Sequence, residues 1–301
     1  MFKQSLAIVL LIAYQCECEF DYSQYWPGGK TTGAPIVLEC GVGLIPINGE
    51  NNGTRDAAPG EVAFQVSLQK KVSGKWAHAC GGVVATNGFV LTTASCVGGS
   101  NTEAFTRSEA GNVNLTKGGW TRRRRASYPG QQQPGVQYTM KSTIHPDYDE
   151  ITLANNVALV GLAQPFDVQA AAGAINTVCL PESAEEDHSE DQHYVSGWGA
   201  IDGVVEFKPK LQIVKANVVE CEPSATALAN QLCVVQDLDD SVEDCVGDFG
   251  GPLFATNGNT STLIGLYSSG TGCSANNTAK FIDVKPYVTW IKDNSKPTYG
   301  K

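Results

Sequence analysis

The cysteines constrain the fold of this chain more than any other feature. The 301 residues include ten cysteines, and two of these, Cys16 and Cys18, lie within the first 18 residues. Without those two, an even number remains, as expected of a protein that folds in an oxidising compartment. Eight cysteines can pair in roughly a hundred ways. The sequence therefore predicts a disulfide-stapled fold without fixing how the cysteines are connected.

The first 18 residues have the pattern of a secretory signal peptide. Lys3 precedes the apolar run Leu6–Tyr14, and the two cysteines serve as the small residues at the cleavage site. The alternative is a membrane anchor, but that run is far shorter than the roughly 17 residues that a spanning helix needs. We therefore expect a secreted, extracellular protein.

Composition narrows the class of protein and the organisation of the mature chain. A net charge of −10 argues against nucleic acid or an anionic membrane as the main partner. A hydrophobic fraction of 42% with 32 glycines suits a turn-rich β protein. Residues 19–49 have no apolar period, which predicts an irregular extension tethered by Cys40. The main domain is expected at 50–295, with a short tail at 296–301.

A series of short motifs runs through the body of the chain. They are Gly60–Leu68, His78–Gly82, Leu91–Cys96, Asn155–Leu159, Cys179–Pro181, Ser196–Gly199, Cys245–Leu253, Tyr267–Gly270 and Tyr287–Asn294. In content and order they resemble the motifs of the trypsin/chymotrypsin-like serine proteases. The resemblance implies an all-β fold of two six-stranded Greek-key barrels packed together, with a short C-terminal helix.

The catalytic positions depart from the family pattern. Carried over from the motifs, Ser95 stands in place of the histidine base, Asn156 in place of the aspartate and Phe249 in place of the serine nucleophile. A benzyl group has no nucleophilic atom, Ser95 is no base at neutral pH, and Asn156 has no charge to stabilise an imidazolium. Gly247 retains a backbone donor for an oxyanion hole. In a related triad, losing the nucleophile or the base lowers turnover about 10⁶-fold.

We therefore expect a protein without peptidase activity. Among the four histidines, His188 and His193 flank an acidic run and are expected to be solvated loop residues. No cluster of His, Cys and carboxylate residues has the spacing of zinc ligands, so neither a metal nor a cofactor is expected.

The resemblance also places the specificity pocket. Glu243 falls at its base, Ser269 and Gly270 on its wall, and Ala279 at a position where the family has glycine. Ser269 replaces a tryptophan, so the wall loses aromatic area. Ala279 adds a methyl group, so the slot is expected to be narrowed.

A zymogen-like grouping is implied at the aspartate beside the lost serine. Active members of the family are cut to free an Ile-Val-Gly-Gly terminus whose amine pairs with that aspartate, here Asp248. The equivalent point falls near 50–53, after Gly49, where neither the basic residue nor the isoleucine is present. Ile47 is an alternative anchor, but Pro46 precedes it in place of a basic residue. Ser67 and His78 align with the residues that hold the aspartate in chymotrypsinogen-like zymogens, so we expect the three to meet.

The resemblance selects one disulfide pattern, and several surface features accompany it. The implied bridges are Cys40–Cys179, Cys80–Cys96, Cys221–Cys233 and Cys245–Cys273. The candidate glycosylation sites are Asn52, Asn114, Asn259 and Asn276. The run Arg122–Arg125 lies in a long loop by the family alignment. It is interpreted as a solvated tip, as a site nicked by a basic-specific protease, or as a patch for a sulfated glycan.

The function implied is that of a non-catalytic serine protease homologue acting by protein binding. Homologues of this kind in arthropods modulate extracellular protease cascades in innate immunity, including melanisation; this chain lacks their amino-terminal clip domain. The partners would be proteases, zymogens or protease inhibitors. The alternatives are a decoy in a digestive, salivary or venom secretion, a matrix glycoprotein, and, least favoured, a residual hydrolase. A cofactor would change zymogen activation, whereas a decoy would bind inhibitors.

Overall fold

The computed structural model describes residues 39–47, 53–98, 107–115, 135–183, 186–200, 207–222, 228–238, 245–270, 272 and 278–296. All of them belong to one compact unit, residues 37–301. None of the helices within these ranges is long and apolar enough to cross a membrane. Several predictions lie outside the described residues: the signal peptide 1–18, Asn52, Arg122–Arg125, Glu243, Cys273 and Asn276.

Strands account for most of the regular structure in the described part of the chain. They are β1 (Arg55–Asp56), β2 (Gln65–Val72), β3 (Lys75–Thr86), β4 (Phe89–Thr92), β5 (Arg107–Ala110), β6 (Val136–Ile144), β7 (Ala158–Leu162), β8 (Gln192–Gly197), β9 (Gly199–Ala200), β10 (Gln212–Val219), β11 (Gln231–Gln236), β12 (Val246–Gly247), β13 (Pro252–Asn257), β14 (Thr260–Ser269) and β15 (Ala279–Asp283). The helices are α1 (Ala94–Val97), α2 (Val168–Ala171) and α3 (Val288–Asn294), and a 3₁₀ turn, Lys285–Tyr287, precedes α3.

The first six-stranded barrel has the order β2-β3-β4-β7-β6-β5, and the pairing of β5 with β2 closes it. Side chains alternate across a strand, and on β2 Val66 and Leu68 point into the barrel core. Ser67 and Gln69 alternate with them and are buried as well. Both faces of β2 are therefore covered, and the second face carries polar groups.

The second barrel has the order β10-β11-β15-β14-β13-β8, and the pairing of β8 with β10 closes it. The two-residue strand β1 pairs with β10 outside this ring, and β9 pairs with β12. Two closed six-stranded barrels and a short C-terminal helix confirm the predicted fold class.

A shared hydrophobic core joins the two barrels. It contains Phe64 and Leu91 from the first barrel and Phe254 and Leu263 from the second. The rings of Phe64 and Phe254 meet edge to face with centroids 5.1 Å apart, a favoured aromatic geometry. Trp198, at the centre, is fully buried. Burial of each such apolar side chain stabilises the fold by about 1.5–3 kcal/mol. The packing between the barrels therefore holds the loops at their junction in place.

Three of the implied disulfides are present: Cys40–Cys179, Cys80–Cys96 and Cys221–Cys233. Cys245 is also disulfide-bonded. The Cys40–Cys179 bridge links the irregular segment 39–47 to the rest of the domain. The side chain of Asn176 reinforces it, donating to the carbonyls of Glu39 (2.7 Å) and Val42 (2.8 Å).

Candidate active-site cleft

Ser95 and Asn156, the predicted replacements for the base and the aspartate, lie side by side. Ser95 is exposed in the single-turn helix α1, and Asn156, fully buried, precedes β7. The amide of Ser95 donates to Asn156 Oδ1 (2.8 Å), and Asn156 Nδ2 donates to Ser268 Oγ (2.9 Å) and Ser95 Oγ (3.2 Å). Asn156 therefore anchors the start of α1 without carrying a charge.

Phe249 projects from the loop between β12 and β13. Its side chain is 49% exposed, and its ring centroid lies 5.0 Å from that of Tyr267. The amide of Gly81 donates to the Phe249 carbonyl (2.8 Å). The next residue, Gly250, has φ +77°, and a Cβ there would lie 2.0 Å from Thr92 Oγ1. Only glycine fits this turn, so the loop keeps its family shape around an altered side chain.

The three positions together offer no group that could accept a proton from a nucleophile. Ser95 Oγ donates to Thr93 Oγ1 (3.2 Å), and neither hydroxyl is a base at neutral pH. The phenyl ring of Phe249 has no proton to lose. The side chains at these three positions therefore lack the atoms that general-base and nucleophilic catalysis need.

Asp248 is buried beneath the same loop, and its carboxylate has two polar neighbours. Its Oδ2 accepts from the amide of Trp198 (3.0 Å), and its Oδ1 lies 3.1 Å from His78 Nε2. On the other side of the imidazole, Ser67 Oγ lies 2.7 Å from His78 Nδ1. The Asp248–His78 contact is a close approach of a carboxylate oxygen and an imidazole nitrogen, and it is a charged pair only when His78 is protonated. The structure thus brings Ser67, His78 and Asp248 together.

Close packing around Asp248 explains the glycines beside it. A Cβ at Gly199 would lie 2.8 Å from Asp248 Oδ1, and one at Gly81 would lie 3.0 Å from Asp248 Cβ. Gly247 is buried in β12, opposite Gly199 of β9. The backbone that carries the oxyanion-hole remnant is therefore held in a two-stranded pairing.

The predicted pocket wall contains a large side chain that the motif comparison did not weigh. Tyr267 is 1% exposed. Its hydroxyl donates to the carbonyl of Gly270 (2.9 Å), and its ring packs edge to face on Phe281 with centroids 5.5 Å apart. Ala279 is fully buried and Ser269 is partly buried. The aromatic character of residue 267 was the signal in the sequence that could have revealed this packing.

The expectation of a solvated loop residue is wrong for His193, whereas His188 does lie in a loop. His193 is buried on β8, and burial lowers its pKa. His188 has a largely buried side chain, with Nδ1 2.8 Å from Asp191 Oδ2 and Nε2 3.0 Å from Glu186 Oε1. The strand β8 begins earlier than the acidic composition suggested, so His193 takes an inward position.

The surface predictions are placed but not tested. Asn259 is exposed in the turn between β13 and β14, whereas Asn114 is partly buried in a bridge to Lys210. Within the described ranges, no group of three or more His, Cys, Asp or Glu residues could hold a metal ion.

Comparison with known proteins agrees with this geometry. The family model described as Trypsin matches residues 51–291. The chain is 30% identical to chymotrypsin-C of Bos taurus, over 87% of this chain and 95% of that protein. It is 29% identical to fibrinolytic enzyme isozyme C of Lumbricus rubellus, over 81% of this chain and 99% of that protein. It is 28% identical to Trypsin Blo t 3 of Blomia tropicalis, over 80% and 85% of the respective lengths. The chain belongs to the trypsin family.

Proposed function

We propose that this chain is a secreted, non-catalytic member of its family that acts by binding other proteins. The observation that carries the proposal is the side chain of Phe249, which is half exposed at the position of the nucleophile. The ring both lacks a reactive atom and takes up space beside the place where a scissile carbonyl would be held. The relatives bear the names of enzymes, and this chain differs from the family pattern at the residues that do the chemistry.

The hydrogen bonds of Ser95 and Asn156 also support the loss of catalysis. Restoring a base would require His at position 95, but the Ser95 amide and hydroxyl are already engaged with Asn156 and Thr93. The buried amide of Asn156 is satisfied by Ser268 and Ser95. A polar site that is fully hydrogen-bonded in its altered form is stable in that form.

We further propose that the bound partners are proteases or zymogens of an extracellular cascade, such as one of innate immunity. This role follows the resemblance to clip-less arthropod homologues, and fold alone does not fix function. The retained barrels and disulfides support a binding role, because they keep the protease scaffold folded while the residues for the chemistry differ.

The test of inactivity is direct. The purified full chain is incubated with a fluorophosphonate serine probe and with chromogenic Arg, Phe and Ala peptides, alongside bovine chymotrypsin-C as a positive control. We expect neither labelling nor turnover by this chain. Labelling that a competing inhibitor blocks would overturn the proposal.

The binding role needs its own measurement. The rate at which an isolated zymogen of the same extracellular fluid is activated is compared with and without the chain. A cascade modulator changes that rate. A chain that leaves the rate unchanged but relieves inhibition of a partner protease is a decoy instead.

A further inference from the structure

Tyr267 links the altered catalytic loop to the wall of the specificity slot. The amide of Gly250 donates to the Tyr267 carbonyl and the amide of Tyr267 donates to the Gly251 carbonyl, both at 2.9 Å. Its backbone is thereby fixed directly beside the loop that carries Phe249. The phenol side chain then runs along its own strand, as its hydroxyl donates to the carbonyl three residues on, at Gly270.

Gly270 and Ala279, which the resemblance assigns to the slot, lie against each other beside that phenol. A Cβ placed on Gly270 would lie 3.3 Å from Ala279 Cα and 3.2 Å from the Thr278 carbonyl oxygen. This closeness follows from the pairing of β14 with β15, in which Ser269 is opposite Lys280. The ring of Tyr267 contacts the ring of Phe281 from the inner side and that of Phe249 on the cleft side.

Tyr267 is 1% exposed and packs with Ala279 and Phe281 in the buried core of the second barrel. Its neighbour Phe249 is 49% exposed, so the Tyr267 ring is closed off from solvent while Phe249 is partly open to it. A buried tyrosine hydroxyl usually finds one partner, and here that partner is a carbonyl of the slot wall itself.

We infer that Tyr267 fills the specificity slot from within, with Phe249 across its mouth, so that this chain takes no side chain of a partner into that slot. The inference rests on the proposed function, since it specifies how a non-catalytic binding protein meets its partner. It names the class of partner: one that binds the outer surface, not a substrate-like inhibitor loop that must insert a side chain to bind.

The experiment uses N-acetyl-L-tyrosinamide, an aromatic side chain carrying short backbone groups, as the probe. Saturable binding is followed by NMR chemical-shift changes at millimolar concentration. We expect none with the wild-type chain and none with Phe249→Ala, because Tyr267 still fills the slot. We expect saturable binding with the double variant Phe249→Ala, Tyr267→Val. The matched control Phe249→Ala, Tyr267→Phe keeps the ring and should not bind.

Each outcome decides the matter. Binding by the wild type or by Phe249→Ala would show an open slot and overturn the inference, as would a folded Tyr267→Val double variant that fails to bind. If that variant does not fold, the first two arms decide, with bovine chymotrypsin-C as the binding control. The same wild-type preparation is treated with the fluorophosphonate probe. Labelling there would defeat the proposed inactivity, whereas binding of the amide by an unlabelled chain would defeat only this inference.

Discussion

The carboxylate of Asp248 and the imidazole of His78 meet between the two barrels. Asp248 Oδ1 lies 3.1 Å from His78 Nε2, and the two side chains are 1% and 2% exposed. The ring of His78 is enclosed by those of Trp198 and Phe207, at 5.3 and 4.7 Å between centroids. A carboxylate buried so deeply is costly unless it is paired. His78 therefore allows the loop of Phe249 to stay packed, and we propose that the pair holds a permanent zymogen-like state.

Removing the imidazole should destabilise the fold strongly. Within the described part of the chain, His78→Ala would leave the Asp248 carboxylate with the Trp198 amide as its donor. Breaking a buried pair by removing one partner costs about 3–5 kcal/mol. We expect a loss of that size in the free energy of unfolding, measured by urea denaturation at neutral pH.

An exposed pair on the same molecule supplies the control. Lys210 and Asp56 are ion-paired at the surface, with side chains 55% and 47% exposed. Lys210→Ala should cost about 0–1 kcal/mol, as surface pairs usually do. A loss for His78→Ala no larger than that for Lys210→Ala would contradict the structural importance of the buried pair.

Restoring the nucleophile alone should not restore catalysis. Phe249→Ser supplies a hydroxyl, but Ser95 offers no base to deprotonate it. A triad lacking its base has about 10⁶-fold lower turnover, so hydrolysis should stay at the level of the matched variant Phe249→Ala. Chromogenic peptide assays measure this. Turnover by Phe249→Ser that clearly exceeds that of Phe249→Ala would mean that another group serves as the base.

The sequence was sufficient to predict the fold. Motifs such as Ser196–Gly199 occur in family order, and the glycines beside Asp248 are required by contacts too close for a Cβ. The cysteine register predicted three bridges that the structure contains. These features are local, so a short motif records them.

The packing of the slot could not be predicted in the same way. Tyr267 lies inside a recognised motif, yet its effect depends on the ring of Phe249, 18 positions away along the numbering, and on Phe281 of the next strand. His193 was missed for a related reason. The acidic residues before it suggested a loop, while the pairing of β8 with β10 and β13 decides its burial.

The segment 39–47 should remain docked when its disulfide is removed. Besides the Cys40–Cys179 bridge, Asn176 donates to two of its carbonyls, and the Gly41 amide donates to the Thr177 carbonyl at 2.7 Å. Cys40→Ser with Cys179→Ser should lower the free energy of unfolding by about 2–5 kcal/mol. Limited proteolysis should nevertheless find the segment protected at low temperature.

Adding Asn176→Ala to that double variant should expose the segment to protease. Asn294→Ala serves as the control, because its side chain donates to a carbonyl on the exposed face of α3. Rapid cleavage within 39–47 in the double cysteine variant alone would contradict this prediction, since the disulfide would then be the sole effective tether.

His193 should make the protein less stable as the pH falls. Burial is the main cause that lowers its pKa from 6.5, opposed by the charge of Asp191. The unfolded chain therefore binds the proton first. The stability from neutral His193 is fully present above pH 6.5 and is lost as the pH falls from there towards the lowered pKa. A single group can contribute a slope of at most about 1.4 kcal/mol per pH unit.

Urea unfolding between neutral and mildly acidic pH measures this slope. His193→Gln should flatten it, whereas Gln192→Ala, an exposed neighbour on the same strand, should keep the wild-type slope. Asp283 acts in the opposite sense, because burial raises its pKa, but it is common to all three proteins and cancels in the comparison. An unchanged slope in His193→Gln would show that His193 takes up its proton equally well in the folded and unfolded chain.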